Sequence, residues 1–515
     1  MTDCVKQLRL KWEGLTKPID VSFDGPDISS DGGLLLLQMF DQRLNLSRRV
    51  ANLVPDTRDP SKVLHTRLEQ TRQRLFQIAL GYEDCNDANT LRRNPLWKTA
   101  CGKLPFDKVE LSSQPTLSRY EGAVEKKHLR PLLLDFEQFY YDTLNPRTAV
   151  IVLDIDTSDD PTHGQQQLTF FHGYYGHYMY HPLFIFDGLS GQLITAILRP
   201  GNKGASRGSG PVLERIIRNI RKLCPDAIIL VRGDSGFSVP RLHERLEILD
   251  DELSNIDYIF GQATNERLKK IAAPHLEDAK QEYQRTGRKV RDFYEFQYAA
   301  ATWEKERRLI GKAEYTSQGA NPRFVVTSLE GQEPGRLYDA YCMRGQAENY
   351  IKELMNAIAA DRLSCSTFEG NFFRLLLHGW AYRLMWALRE DVRELDAEFQ
   401  RAEELAQQLE RTTSRLQDEL EEWSESQEIE AELVEGVSQL KEETKTVMEG
   451  VQEMGRESRQ VGRYQFDTLR LRLLKVAVRV RESARRVWCQ LPKSFPLAEL
   501  FQRLLERGQV ALNSS

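Results

Sequence analysis

The chain has 515 residues, of which 40% are hydrophobic and 29% charged, and its formal net charge is −5. This length suits two to four domains, and the apolar content is sufficient for buried cores. Because no run of about eighteen apolar residues is present, we expect no membrane-spanning segment, and residues 1–6 lack the apolar core of a signal peptide. Seven cysteines without a C-x-x-C pair favour a reducing compartment, so we expect a cytoplasmic protein.

The first 145 residues are predicted to be mainly helical. Segments 34–40 and 61–80 carry apolar residues at three-and-four spacing, and basic residues such as Arg92 and Arg93 are interleaved with apolar ones in this region. Such a surface suits contact with phosphates, and a solvated helix face is the alternative.

Short apolar runs replace this pattern between residues 148 and 260. We predict strands at 149–155, 182–186 and 192–198, a helix at 212–223 and a further strand at 227–231. Three antiparallel strands, a helix and another strand is the order expected of a ribonuclease-H-like sheet. Strand-like runs at 293–299, 307–315 and 323–329 then predict a β-rich insertion over 262–335, after which helix continues from 337 to about 390 with a break near Leu363.

Three acidic residues stand out from these elements. Asp156 ends the first predicted strand, Asp234 follows the last, and Glu348 lies on the later helix. Two strand-end aspartates and a helical glutamate suit a pair of divalent metal ions that clamp the attacking and leaving oxygens of a phosphodiester. Oxygen ligands favour Mg²⁺ or Mn²⁺ over zinc. Asp154 shares a face with Asp156 because a strand has a period of two, so it is the alternative at the first position.

The predicted helix that carries Glu348 also places charged and aromatic residues beside it. Tyr341, Arg344, Glu348 and Lys352 are spaced by three, four and four residues and therefore share one helix face. Ordinary ion pairs on an exposed helix are the alternative explanation.

A histidine-rich segment offers a different metal chemistry. Four of the nine histidines, His163, His172, His177 and His181, are interleaved with tyrosines and phenylalanines, and their spacing matches no standard zinc pattern. Contact with DNA or the active site and a structural role both remain open.

The charge is unevenly distributed towards the C-terminus. Residues 392–462 hold about twenty acidic and about eight basic residues, which leaves the rest of the chain at about +7. Leucines recur at heptad-like spacing in this segment and predict a helical hairpin or coiled coil, with a charged, partly disordered linker as the alternative. Residues 467–488 are predicted to form a basic amphipathic helix that contacts phosphate, with the candidate residues Arg470, Arg472, Lys475 and Arg479.

These motifs resemble the DDE transposases of bacterial insertion sequences. The chain looks closest to the insertion-sequence thirteen-eighty family, a relative of a larger branch marked by a Y-R-E signature. The matching stretches are 111–119, 153–160 with 163–165, 232–237, 344–352 and 467–475.

The resemblance and the patterns together predict an α/β fold with a ribonuclease-H-like catalytic core, an all-α N-terminal region, a β-rich insertion and a helical C-terminal region with a coiled coil. The expected divisions are a DNA-binding region at 1–145, the core at 146–261 and 336–391, the insertion at 262–335, the acidic coiled-coil segment at 392–462 and basic C-terminal helices at 463–515.

By the same resemblance, Asp156, Asp234 and Glu348 hold two Mg²⁺ ions, for which Mn²⁺ can substitute. Tyr341, Arg344 and Lys352 are expected to contact phosphate near the cut, Arg344 as a planar two-pronged donor. The wider branch has its lysine seven residues after the glutamate, and that position is Met355 in this chain.

The implied activity is cut-and-paste transposition, in which terminal inverted repeats are bound and strands are cleaved and transferred. The implied partner is double-stranded DNA, as element ends and target, bound by a nucleoid-associated homodimer. A metal-dependent nuclease without strand transfer and a non-catalytic end-binding protein are the alternatives.

Overall fold

The computed structural model describes residues 8–22, 24–162, 164–424 and 431–514. The described chain divides into two compact units. The first contains the described residues within 1–45, 86–114 and 387–515, and the second contains those within 46–85 and 115–386. Among the described helices, none has a stretch that is both long and apolar enough to cross a membrane.

The N-terminal region contains the predicted helices, but the expectation that it is all-α is wrong. β1 and β2 form an antiparallel hairpin in which Arg9 lies opposite Asp20, and their side chains form an ion pair of 2.7 Å. The elements up to residue 143 are β1 (Leu8–Leu10), β2 (Ile19–Val21), β3 (Ile28–Ser29), α1 (Leu34–Leu44), α2 (Leu46–Leu53), α3 (Arg67–Ala79), α4 (Ala88–Leu91), α5 (Pro95–Ala100), α6 (Gln114–Glu121) and α7 (Lys126–Thr143), with 3-10 turns at Pro60–Lys62 and Cys85–Asp87.

The second unit is built around a mixed β-sheet. Its elements are β4 (Val150–Thr157), β5 (Asp160–Pro161), β6 (Phe170–His172), β7 (His177–Tyr180), β8 (Leu183–Asp187), β9 (Leu193–Ile197), α8 (Ser209–Leu223), β10 (Ile228–Gly233), α9 (Pro240–Leu253), β11 (Ile256–Gln262), α10 (Glu266–Thr286), β12 (Val290–Tyr298), β13 (Arg307–Thr316), β14 (Gly319–Ala320) and β15 (Arg323–Thr327). The strands predicted at 149–155, 182–186, 192–198 and 227–231 are thereby confirmed as β4, β8, β9 and β10.

The described strands of this sheet are ordered β12-β13-β15-β11-β10-β4-β8-β9, and β14 pairs with β13. β10 runs parallel to β4 and to β11, whereas β8 is antiparallel to β4 and β9 to β8. Strands β4, β8 and β9 are largely buried, which explains why they read as apolar runs rather than as alternating strands. The helices α8 and α9 pack their apolar residues into the core of these strands.

The predicted β-rich insertion is only partly β. Its three predicted strands are confirmed as β12, β13 and β15, and β15 pairs with β11, so they extend the same sheet. The 21-residue helix α10 was not predicted, because Pro274 interrupts its pattern. Its ends nevertheless carry ordinary signals: the Asn265 side chain accepts from the Leu268 N–H, and Gly287 follows with a φ of 66°.

The C-terminal elements begin with helices. They are α11 (Pro334–Cys342), α12 (Gly345–Lys352), a π-helical turn (Glu353–Ala357), α13 (Phe368–Ser424), α14 (Ala431–Val461), α15 (Phe466–Leu469), a second π-helical turn (Arg470–Leu474), β16 (Val478–Glu482), β17 (Val487–Gln490) and α16 (Ala498–Ser514). The break near Leu363 is confirmed, but α13 does not end near 390. No glycine or proline occurs between residues 380 and 424, so nothing in the local sequence stops this helix.

The prediction of a basic helix over 467–488, and of helices alone over 463–515, is wrong. α15 is four residues long, and after the π-helical turn the chain forms the antiparallel hairpin of β16 and β17. The reason is the period of the sequence: Val478 and Val480 are buried while Arg479 and Arg481 are exposed, which is strand-like alternation of β-branched and charged residues.

Candidate active site

Two of the three predicted metal ligands lie side by side at the ends of adjacent parallel strands. The register of β4 and β10 pairs Ile155 with Gly233, so Asp156 and Asp234 are the next residues along each strand. Neighbouring strands are roughly 4.8 Å apart, which brings these two carboxylates to the same edge of the sheet. The side chain of Asp156 is 17% exposed and therefore remains accessible from that edge.

Asp154, the alternative to Asp156, is fully engaged by an arginine that was not predicted. Both oxygens of its buried carboxylate accept hydrogen bonds of 2.7 Å from Arg232, whose remaining amine donates to the Ala340 carbonyl. A Cβ at Gly188 would collide with this ion pair, so glycine is required there. Arg232 lies opposite Asp154 in the register of β10 and β4. Arg232 and Asp234 are two residues apart, as are Asp154 and Asp156, so the two pairs share one face of the sheet.

Arg344 binds directly to Asp156, one of the two aspartates. Its Nη1 atom donates to Asp156 Oδ2 over 3.0 Å, and its guanidinium carbon lies 5.8 Å from the centre of the Tyr341 ring. The Tyr341 hydroxyl fits against β11 because residue 261 is glycine: a Cβ there would lie 2.6 Å from the hydroxyl oxygen and 3.0 Å from the Ser235 nitrogen. The predicted grouping of Tyr341 and Arg344 with the two aspartates is therefore present.

The electrostatics of this edge favour a bound cation. The pKa of Asp156 is raised to about 6, chiefly by burial. The charge of Arg344 and the Thr157 N–H act to lower this pKa, and the carboxylates of Asp234 and Asp154 act to raise it. A carboxylate that is held close to like charges in a partly buried place gains stability when a cation joins it.

Glu348 does not lie with the aspartates in this conformation. Its side chain is 60% exposed and its Oε1 atom is 2.8 Å from Lys352 Nζ, a hydrogen bond that together with the lysine charge lowers the glutamate pKa. The predicted single helix face is also interrupted, because α11 ends at Cys342 and α12 begins at Gly345. Within the described ranges, no group of three or more histidines, cysteines, aspartates or glutamates is arranged to hold a metal ion.

The histidine-rich segment forms a small sheet beside this site. β6 and β7 pair, and the rings of His172, Tyr175 and His181 lie within 5.1–5.9 Å of one another. Burial raises the pKa of Tyr175, and the charges of Asp159, Asp156 and Asp234 also raise it, so this tyrosine lies within electrostatic range of the aspartate pair. His163 lies outside the described residues.

Comparison with known proteins shows the family to which the chain belongs. Residues 13–420 and 439–511 match the family described as transposase DDE domain group 1. The chain belongs to this transposase family. None of the curated proteins matches this transposase in sequence. Among solved structures, a cryo-EM structure of a piggyBac transposase synaptic complex with hairpin DNA is similar with a TM-score of 0.40 and 10% identity, over 87% of this chain and 86% of that one.

The donor atoms of this transposase fit the divalent metal ions that its family uses. Asp156 and Asp234 provide carboxylate oxygens at the ends of rigid strands, which suits a hard cation such as Mg²⁺. Asp154 is less suited to such an ion, since both of its carboxylate oxygens are buried and bonded to Arg232.

The residues predicted to bind DNA differ in availability. Arg472 and Arg479 are exposed. The other four form ion pairs: Arg92 and Arg93 both pair with Glu110, Arg470 pairs with Asp467, and Lys475 pairs with Asp31. In this transposase Arg472 and Arg479 are exposed and form no ion pair with a described residue, so they are the stronger candidates for phosphate contact. Arg93 is paired, but its side chain is still 72% exposed.

Proposed function

We propose that this transposase cleaves DNA strands at the ends of its element and transfers them to a target by cut-and-paste transposition. The observation that carries the proposal is the position of Asp156 and Asp234 at the ends of adjacent parallel strands, with Arg344 bonded to Asp156. In this proposal the aspartates would hold metal ions and Arg344 would bind phosphate, an arrangement that suits displacement at phosphorus.

The catalytic core in this proposal is ribonuclease-H-like. Supporting it is the strand order β9-β8-β4-β10-β11, in which the first two strands are antiparallel to their neighbours and the last three are parallel. The helices α8 and α9 connect the strands that follow β9, as expected from the sequence pattern. The core would comprise 146–261 and 336–391, joined to the other predicted divisions at 1–145, 262–335, 392–462 and 463–515.

Asp156 and Asp234 would hold the metal ions, with Mg²⁺ preferred and Mn²⁺ as a substitute. When bound, the ions supply an activated nucleophile and stabilise the charge that develops on the reacting oxygens. Glu348 would be the third ligand. Its carboxylate is exposed and bonded to Lys352. If a DNA phosphate bound Lys352 instead, the Glu348 carboxylate would be released to bind metal.

Arg344 and Tyr341 would position the scissile phosphate. Arg344 holds Asp156 through one amine, and its planar group presents further donors that suit a phosphate oxygen. The protein partner in this proposal is a second copy of the chain, since two element ends must be brought together. The reaction would take place on the bacterial nucleoid.

The test is cleavage of a plasmid that carries the element's own flanking DNA, with Mg²⁺ present. We expect the wild-type protein to cut at the ends and join them to a second plasmid, and Asp156→Asn, Asp234→Asn and Glu348→Gln to lose cutting while they retain end binding. Asp226→Asn and Glu333→Gln are matched controls, because both residues are exposed, and Asp226 lies just before β10 at its opposite end.

The outcomes separate the alternatives. Cutting without joining would indicate a metal-dependent nuclease, and specific binding without cutting by the wild-type protein would indicate an end-binding protein. Retained cutting by both aspartate variants would overturn the assigned site.

A further inference from the structure

The sheet formed by β3, β16 and β17 has two chemically different faces. Arg479 lies opposite Ile28 on one side and Gln490 on the other, and Arg481 lies opposite Trp488. Directly paired residues of antiparallel strands share a face. One face therefore carries Ile28, Arg479, Arg481, Trp488 and Gln490, with no acidic residue, whereas Val478 and Val480 on the other face are buried in the fold.

Four arginines on this hairpin are exposed and lack an acidic partner among the described residues. Arg479 and Arg481 lie on β16, and Arg485 and Arg486 lie in the loop that joins β16 to β17. The nearby Arg470 and Lys475 show the contrast, since each forms an ion pair with an aspartate.

An exposed aromatic ring lies within the same cluster. Trp488 is 40% exposed, and the guanidinium carbon of Arg486 lies 5.6 Å from the centre of its ring. This cation–π contact orients an arginine of the loop next to the strand arginines without neutralising its charge. The four charges therefore converge on one two-stranded ribbon whose inner face is anchored by the buried valines.

We propose that Arg479, Arg481, Arg485, Arg486 and Trp488, which we call the arginine face, bind the phosphate backbone of duplex DNA. The proposal rests on the proposed function and deepens it by naming the surface that holds the DNA. Unpaired guanidinium groups on a ribbon match a row of phosphates in charge, and contacts of this kind position DNA without reading its sequence. The arginine face replaces the helix that the sequence pattern predicted for the same segment.

The experiment measures binding of the full-length protein to a labelled duplex of arbitrary sequence between 50 and 200 mM salt. The test variant changes all four arginines to glutamine. Its matched control changes Arg285, Arg288, Arg401 and Arg411 to glutamine, because these arginines are also exposed and the net charge changes equally. Thermal unfolding of each variant verifies that the fold is kept, and Trp488→Ala is measured separately.

We expect the four-arginine variant to lose about tenfold or more in affinity at 50 mM salt and to reduce the slope of log affinity against log salt by about 3–4, since each lost phosphate contact removes about 0.9. The control variant should keep nearly the wild-type slope. Trp488→Ala should weaken binding less and leave the slope close to wild type.

Equal slopes in the four-arginine variant and its control would overturn the arginine face and leave the transposase function standing. A wild-type protein that binds no duplex at any of these salt concentrations would overturn the arginine face, and failure of the plasmid cleavage assay as well would overturn the transposase function. The two failures are distinguishable because the plasmid cleavage assay with the aspartate variants reports on the catalytic site independently.

Discussion

At the scale of single residues, the charge of Asp156 lowers the stability of the metal-free fold. Burial and neighbouring carboxylates raise the pKa of Asp156 to about 6, against an ordinary value near 4. A carboxyl group with a raised pKa binds its proton more tightly in the folded protein, so the folded state loses stability as the pH rises from about 4 to about 6. Above that window, the charged group destabilises the metal-free fold.

Asp156→Asn should therefore stabilise the metal-free protein at pH 8. A shift of about two units corresponds to roughly 3 kcal/mol, and we expect a gain of about 1–3 kcal/mol because Arg344 loses its partner. Below about pH 4 the gain should vanish, since the carboxyl group is then neutral in both states. Urea denaturation in the presence of a chelator, at pH 8 and below about pH 4, measures this change in the free energy of unfolding. Asp226→Asn is the control, because Asp226 is exposed. A variant less stable than wild type at pH 8 would contradict this account.

At the scale of elements, one buried arginine connects three pieces of the second unit. Arg383 on α13 is fully buried, and its Nε and Nη2 atoms donate to the Leu193 carbonyl over 3.0 and 2.7 Å. It also donates to the carbonyls of Ile194 on β9 and Phe136 on α7, and its guanidinium carbon lies 3.5 Å from the centre of the Phe136 ring. Burial lowers the pKa of Arg383 well below its ordinary value.

Arg383→Lys should destabilise the protein by about 3–5 kcal/mol, because an ammonium group cannot reach all the carbonyls that the planar guanidinium satisfies. Guanidinium chloride denaturation gives the free energy of unfolding. Arg241→Lys on the exposed surface of α9 is the matched control and should change that free energy by less than about 0.5 kcal/mol. A loss below about 1 kcal/mol for Arg383→Lys would show that these hydrogen bonds are replaced by others or by water.

Elements with a clear period were predictable from the sequence, and elements that depend on distant contacts were not. The apolar runs of β4 and β10 identified buried strands, and strand-end positions then placed Asp156 and Asp234 at the same edge. The basic segment around Arg479 was predicted as a helix because charge was given more weight than its alternation with valine. For Glu348 the sequence leaves two interpretations open, a metal ligand or an exposed ion pair with Lys352, because both have the same spacing; the structure shows the ion pair.

At the scale of the whole molecule, we expect the charge of the acidic segment to oppose DNA binding. Residues 421–438 contain seven glutamates and no basic residue, and the match to the transposase family omits these same residues. Nearby, Lys441 Nζ donates to Gln417 Oε1 over 3.0 Å, so α13 and α14 run side by side there. The family pattern has no counterpart for these glutamates, so we expect their main effect to be electrostatic.

Changing all seven glutamates to glutamine should tighten binding of duplex DNA at low salt. The formal net charge would change from −5 to about +2, so repulsion between protein and phosphates falls. We expect about a three- to tenfold gain in affinity at 50 mM salt and nearly none at 300 mM, because salt weakens the interaction of charges that are further apart than the Debye length. Fluorescence anisotropy at the two salt concentrations measures the gain, and thermal unfolding verifies that the fold is unchanged. An equal gain at both concentrations would point to an altered structure, and unchanged affinity at 50 mM would show that the acidic segment lies too far from the bound DNA to oppose it.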